Sequence, residues 1–161
     1  SLAVSEKAGL ARFETAQVYY SLAGRDIENE IVPLCEYKKV GILTWSPLAG
    51  GYLSGKYRKG IKGRRTASLD GGFPPVDTAH GDKVLDLLAE IAKKRGMGEA
   101  AVALAWLIAR PYVTSVILGA KDTGQLSENL KAADLNLTDD EIRRLDEVSA
   151  RPLPYPKWME M

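Results

Sequence analysis

Hydrophobic and polar positions along this chain fall into two alternating rhythms: short β-branched runs, and longer segments with apolar residues three or four apart. The most telling unit is Val113-Thr114-Ser115-Val116-Ile117-Leu118, which predicts a strand buried on both faces, as in parallel sheets. The run stops at Gly119, where backbone can approach a ligand closely, and Lys121 follows. Polar residues with helical spacing then continue to about Ala133, so the start of that helix would point free N–H groups at an anion. The plain alternative is an ordinary strand-to-helix junction.

Two further strands are predicted from β-branched and aromatic content, Phe13 to Tyr19 and Gly41 to Trp45. Leu2 to Ala8 reads as a short helix stopped by Gly9. Ile27 to Lys39 reads as a helix with Asp26 as its cap and Pro33 interrupting its early part. From Gly81 to Arg95, the residues Val84, Leu87, Leu88 and Ile91 share one helical face, closed by Gly96. Glu99 to Arg110 is apolar nearly all round, which predicts a buried helix. Thr138-Asp139-Asp140-Glu141 is a capping box opening a final helix to about Ser149. Lys56 to His80 has little periodicity and many Gly, Pro, Arg and Lys residues, which predicts a long loop. Residues 151–161 form a Pro- and aromatic-rich tail behind a unit spanning 1–150.

Alternation of strand and helix argues for an α/β chain of parallel βα units. A complete eight-stranded β/α barrel needs about 250 residues, whereas this chain has 161 and shows three strands. Three parallel strands alone leave two unpaired edges and an exposed inner face. The expectation is therefore a partial (β/α)8 TIM barrel, with a homo-oligomer covering the open edges. A net charge of +1 leaves no electrostatic footprint for nucleic acid or an anionic membrane. Apolar stretches are too short to span a bilayer, and Glu6 and Lys7 interrupt any secretory signal near Ser1. The single cysteine, Cys35, excludes an internal disulfide and fits a reducing, cytoplasmic setting as a buried structural thiol. His80, the one histidine, reads as an exposed loop residue and cannot alone form a metal site. Gly50 to Tyr57 nearly matches a nucleoside-triphosphate loop, but Tyr57 stands where a Ser or Thr should ligate Mg²⁺.

Three segments carry a more specific likeness: Phe13 to Leu22; Thr44-Trp45-Ser46-Pro47-Leu48-Ala49-Gly50-Gly51 with Ser54-Gly55-Lys56-Tyr57; and Ile117-Leu118-Gly119-Ala120-Lys121 with Gln125, Glu128 and Asn129. In order and spacing they resemble the C-terminal part of the aldo-keto reductases, from the fifth helix of the barrel to its last helix. The resemblance implies a site for a nicotinamide dinucleotide. Gln17 would hold the carboxamide and the Trp45 ring would stack on the nicotinamide. Ser46, Pro47, Leu48 and Gly50 would line the pyrophosphate, with Lys56 adding charge. Gly119 and Lys121 would meet the adenosine phosphate with Gln125 helping, and Glu128 and Asn129 would hold adenine. Arg64 and Arg65 fall where the family folds a loop over the cofactor. Elementary chemistry agrees: an indole offers a flat stacking surface, an amide pairs with a carboxamide, and Lys121 would favour the extra phosphate of NADP(H). Taken without the resemblance, Trp45 reads as a core aromatic and Gln17 as a satisfied buried amide.

The family's chemistry also needs a tyrosine, a lysine, an aspartate and a histidine from the first four strands, which this chain does not contain. Tyr19, Tyr20, Tyr52 and Tyr57 are candidate substitutes for the proton donor, with Lys56 placed to lower the Tyr57 phenol; packing roles are the simpler reading. The resulting expectation is an NADPH-dependent reductase of small-molecule aldehydes or ketones, its catalytic residues unknown. A non-catalytic NADP(H)-binding module and an inactive fragment are the rivals. Tyr155 to Trp158 falls where the family's C-terminal segment shapes substrate choice.

Overall fold

The computed structural model describes residues 1–56, 73–155 and 157–159. Helices α1 (Leu2–Ala8), α2 (Ile31–Lys38), α3 (Thr78–Arg95), α4 (Glu99–Ile108), α5 (Thr123–Leu130) and α6 (Asp139–Val148) accompany three strands. These strands, β1 (Thr15–Tyr19), β2 (Gly41–Trp45) and β3 (Val113–Val116), form one parallel sheet in the order β1-β2-β3. Parallel strands joined through helices, with β1 and β3 unpaired on their outer sides among the described residues, make a partial (β/α)8 barrel.

Helix boundaries follow local chemistry. Gly9 and Gly96 close α1 and α3 at φ 63° and 64°, the left-handed conformation that glycine adopts without a Cβ clash. Asp77 caps α3 by accepting the His80 N–H, and Thr138 with Glu141 forms a reciprocal capping box on α6. Two boundaries differ from expectation. The α3 helix starts at Thr78, so His80 lies in its first turn rather than in a loop. Asp26 opens a short 3-10 turn, Asp26–Glu28, and does not cap α2, which starts at Ile31. Pro33 accounts for the shift: it lacks an N–H, so it is tolerated in the first turn but not at the seventh position of a helix begun at Ile27.

One face of the sheet is covered. Ala16, Val18, Ile42, Val113 and Val116 join a core with Val84, Leu88, Ile91, Trp106 and Leu145 from α3, α4 and α6. Residues Ala101–Leu107 of α4 are all buried, as an all-round apolar helix requires. Cys35 is buried, and that burial raises its thiol pKa.

The expectation that β3 is buried on both faces is corrected. Thr114 and Ser115 are exposed, and Val113 and Val116 only partly buried, because β3 has a single neighbour. Its pairing with β2 also slips between Ile42 and Leu43. There the Ile42 N–H is bonded to the Thr114 hydroxyl at 3.2 Å, and Gly41 leaves room for that side chain; a Cβ at Gly41 would lie 2.8 Å from Thr114 Oγ1.

Candidate functional site

Strand alternation sets the other face of the sheet apart. Thr15, Gln17 and Tyr19 project opposite to the core-facing Ala16 and Val18, and the register puts Gln17 beside Leu43 and Tyr19 beside Trp45. Gln17 is exposed, not a buried amide, and Trp45 is half-buried. Trp45 ends β2 inside an aromatic group: the Tyr19 ring tilts at 39° with centroids 5.3 Å apart, and Phe73 stacks at 14° and 5.6 Å.

Tyr19 is held in place by the turn that follows β1. Its hydroxyl is 3.0 Å from Ser21 Oγ, which also accepts the Ala23 N–H at 3.1 Å. Gly24 makes the fit possible, since a Cβ there would lie 2.4 Å from the Tyr19 ring.

The loop after β2 turns sharply. Ser46 and Ala49 take positive φ values of 48° and 49°, and Gly50 and Gly51 take 68° and 100°. For Ser46 and Ala49 this is uncommon, strained backbone of the kind concentrated at ligand sites. Left-handed backbone at Ser46 and in the unbroken run Ala49-Gly50-Gly51 gives this turn peptide N–H groups that an anion could use. Part of that potential is used internally, because Ala49 and Gly51 donate to the Ser46 and Leu48 carbonyls. Pro47 is buried, Leu48 packs against the cluster under α4, and Lys56 is exposed just beyond the left-handed Gly55.

The segment after β3 leaves the same end of the sheet. The Ile117 N–H donates to the Thr44 carbonyl at 2.8 Å, and Leu118 packs against the same cluster as Leu48. The sheet thus brings Ser46, Pro47, Leu48 and Gly50 next to the segment carrying Gly119 and Lys121. The start of α5 is not a set of free donors, however. Asp122 caps it by accepting the Gln125 N–H at 2.7 Å, and the Gln125 side chain accepts the Lys121 N–H at 2.9 Å. Lys121 is exposed, its ammonium 3.9 Å from Asp122. Gly119 is exposed too, with open space where a Cβ would stand, so close approach to this chain does not require a glycine there.

Glu128 pairs with Lys131 at 2.6 Å on the surface. Asn129 is buried and lines a groove of about 350 Å³ with Leu104, Val116, Leu118 and Leu130. Among the described residues its amide nitrogen has no hydrogen-bond partner, and a buried donor left open is costly unless something else accepts from it. This groove does not include Trp45; it runs along the whole of β3, from Val113 to Val116, beside α4 and the end of α5.

Two of the candidate tyrosines are poorer acids than a free phenol. Burial raises the Tyr19 phenol. Burial, reinforced by hydrogen bonds to Glu28 and Tyr112, raises Tyr20 far more. Tyr52 donates to Asp82 at 2.5 Å beneath α3. Tyr57, with Arg64 and Arg65, lies outside the described residues. Among the described residues no three His, Cys, Asp or Glu side chains cluster. Phe73 was not legible as a site residue, its one signal being an aromatic followed by two prolines inside a segment without periodicity.

Parallel strands joined through helices, with a strained loop, an aromatic group and a lysine segment following their C-terminal ends, define an α/β protein of the partial-barrel class. The aldo/keto reductase family model matches residues 2–150, and this chain belongs to that family. It is 34% identical over 151 residues to an uncharacterized oxidoreductase, YrpG, of Bacillus subtilis, covering 93% of this chain and 44% of that protein. It is 33% identical over 158 residues to Protein tas of Escherichia coli, covering 95% and 45%. A putative voltage-gated potassium channel subunit beta of Schizosaccharomyces pombe is 36% identical over 140 residues, covering 82% and 41%. The chain thus spans less than half the length of these curated relatives.

Proposed function

We propose that this chain forms the dinucleotide-holding part of an NADPH-dependent aldo-keto reductase acting on small-molecule aldehydes or ketones. One juxtaposition carries the reading: the strained loop Ser46–Gly51 and the Lys121 segment leave neighbouring strand ends side by side, with Trp45 at the tip. The 46–51 turn suits a pyrophosphate, Lys121 a 2′-phosphate, and the open Asn129 amide a ring nitrogen of adenine, with Glu128 beside it. Gln17 lies on the Trp45 face of the sheet, where an amide can pair with a carboxamide. The bound cofactor would supply a hydride to the carbonyl carbon. The chain's own residues would bind, orient and exclude water, with Gly50 allowing close backbone approach, Gln125 ordering Lys121 and Lys56 adding charge.

A second reading, a non-catalytic NADP(H)-binding module, draws on the raised phenols of Tyr19 and Tyr20, two of the candidate proton donors. Residues 1–150 would then correspond to the C-terminal half of the barrel and 151–161 to a tail. We assign the open edges of β1 and β3 to contact with a second copy, and a reducing, cytoplasmic setting to the single thiol. Among the described residues no helix is long and apolar enough to cross a membrane.

Calorimetric titration tests the core of this reading. NADPH should bind saturably, and Lys121→Ala should weaken NADPH by about tenfold while leaving NADH unchanged. No saturable binding at millimolar NADPH refutes it. NADPH oxidation with a panel of aromatic aldehydes separates enzyme from module, and sedimentation reads the assembly state.

A further inference from the structure

Phe73 takes the position that the cofactor reading reserves for a ligand ring. Its ring lies nearly parallel to the Trp45 indole, with centroids 5.6 Å apart and planes 14° from parallel. A third ring held between two others needs their centroids about 7 Å apart, since each layer takes about 3.5 Å. No ring can therefore enter between Phe73 and Trp45 while both stay in place. Tyr19 tilts against the same indole, with centroids 5.3 Å apart.

The backbone around Phe73 is fitted to this contact. The residue sits across the 46–51 turn, so close that a Cβ at Gly50 would lie 2.8 Å from the Phe73 carbonyl oxygen. Immediately afterwards the chain is anchored: Pro74 is buried, Val76 packs on the core, and Asp77 caps α3 while accepting from Arg151 at 3.0 Å. Phe73 itself is 54% exposed, one side on the indole and the rest toward solvent. A side chain so placed can swing off the indole without disturbing its anchor.

We propose that Phe73 is an aromatic strap that occupies the Trp45 stacking surface and that the nicotinamide ring must displace. This rests on the dinucleotide reading of the site and adds an autoinhibitory contact to it. The strap's side chain competes for the ring end of the ligand; its contact with the 46–51 turn is made by the Phe73 backbone carbonyl, which a side-chain replacement leaves in place.

Calorimetry on the full chain decides it, using NADPH and 2′-phospho-ADP-ribose, which keeps every phosphate but lacks the nicotinamide. Phe73→Ala should tighten NADPH about two- to tenfold, the worth of one aromatic pair, and leave 2′-phospho-ADP-ribose unchanged. Phe73→Trp, with a larger stacking surface, should weaken NADPH. Equal or weaker NADPH binding by Phe73→Ala overturns the strap and leaves the cofactor reading standing. Tightening of both ligands alike also overturns it, because Phe73 would then act on the whole groove. Failure of either ligand to bind either protein defeats the cofactor reading itself, and the strap with it. Since Phe73 is half exposed, its replacement leaves the core intact, and unchanged thermal unfolding checks that.

Discussion

The sheet's two faces carry a tryptophan each in their neighbourhoods, and the two side chains live in opposite surroundings. Trp106, on α4 against the covered face, has no solvent exposure; its N–H donates to Asp146 at 2.9 Å, Tyr20 packs on it, and Arg110 and Arg25 lie over the ring at 4.5 and 5.4 Å. Trp45, on the open face, is half-buried, with the Tyr19 and Phe73 rings against its indole. The covered face uses its aromatic and charged groups to hold helices to strands. The open face carries comparable chemistry on a half-exposed surface, where the cofactor reading would place a ligand.

The largest test of that contrast is to truncate each tryptophan. Trp106→Ala should cost about 3–5 kcal/mol of stability in urea unfolding. Trp45→Ala should cost less than about 1 kcal/mol yet abolish the fluorescence response to NADPH. Equal losses would erase the distinction between the faces.

Next in size is the pair joining α3 to α6 behind the covered face. Glu141 is buried, and Arg95 binds its carboxylate at 2.9 and 2.5 Å while Thr138 donates through its backbone N–H. Arg95 first, and the Thr138 bond after it, hold the Glu141 pKa down at about 2. Because the folded value lies below the ordinary 4.5, this contribution is complete above that pH and is lost as pH falls toward about 2. Glu141→Ala should cost about 3 kcal/mol at neutral pH. Its urea midpoint should then change less than that of the parent between those two pH values.

Smaller effects probe the open face. Gly24→Ala must push the Tyr19 ring from its place against Trp45, at about 1 kcal/mol and with a changed near-ultraviolet circular dichroism band; an unaltered band would mean that Gly24 does not set the ring. Gly119→Ala has open space to enter and should change stability by less than about 0.5 kcal/mol.

Legibility followed the range of the interactions. The β2 strand, the stops at Gly9 and Gly96 and the Thr138–Glu141 box depend on residues within one turn of each other, and each is visible in the chain. The cap misassigned to Asp26 shows the limit: Pro33 already barred a helix from Ile27, but weighing it required setting one local rule against another. The burial of β3 was misjudged because Val113 to Leu118 states an apolar run and nothing about how many neighbours the strand has. In the candidate site, the contiguous residues Trp45 to Gly50 could be read together. The capped start of α5, the open amide of Asn129 and the position of Phe73 could not.

By itself the chain determined the helix stops at Gly9 and Gly96, the capping box that opens α6, which strands are parallel in kind, and that a glycine-rich turn follows Trp45. Caps, backbone handedness and β-branched runs are settled by atoms a few bonds away. Which sheet face is covered, which edge strand is left half bare, and which ring rests on Trp45 were decided only by the tertiary structure. Those outcomes depend on segments far apart in the chain meeting in space, and no local preference encodes the meeting.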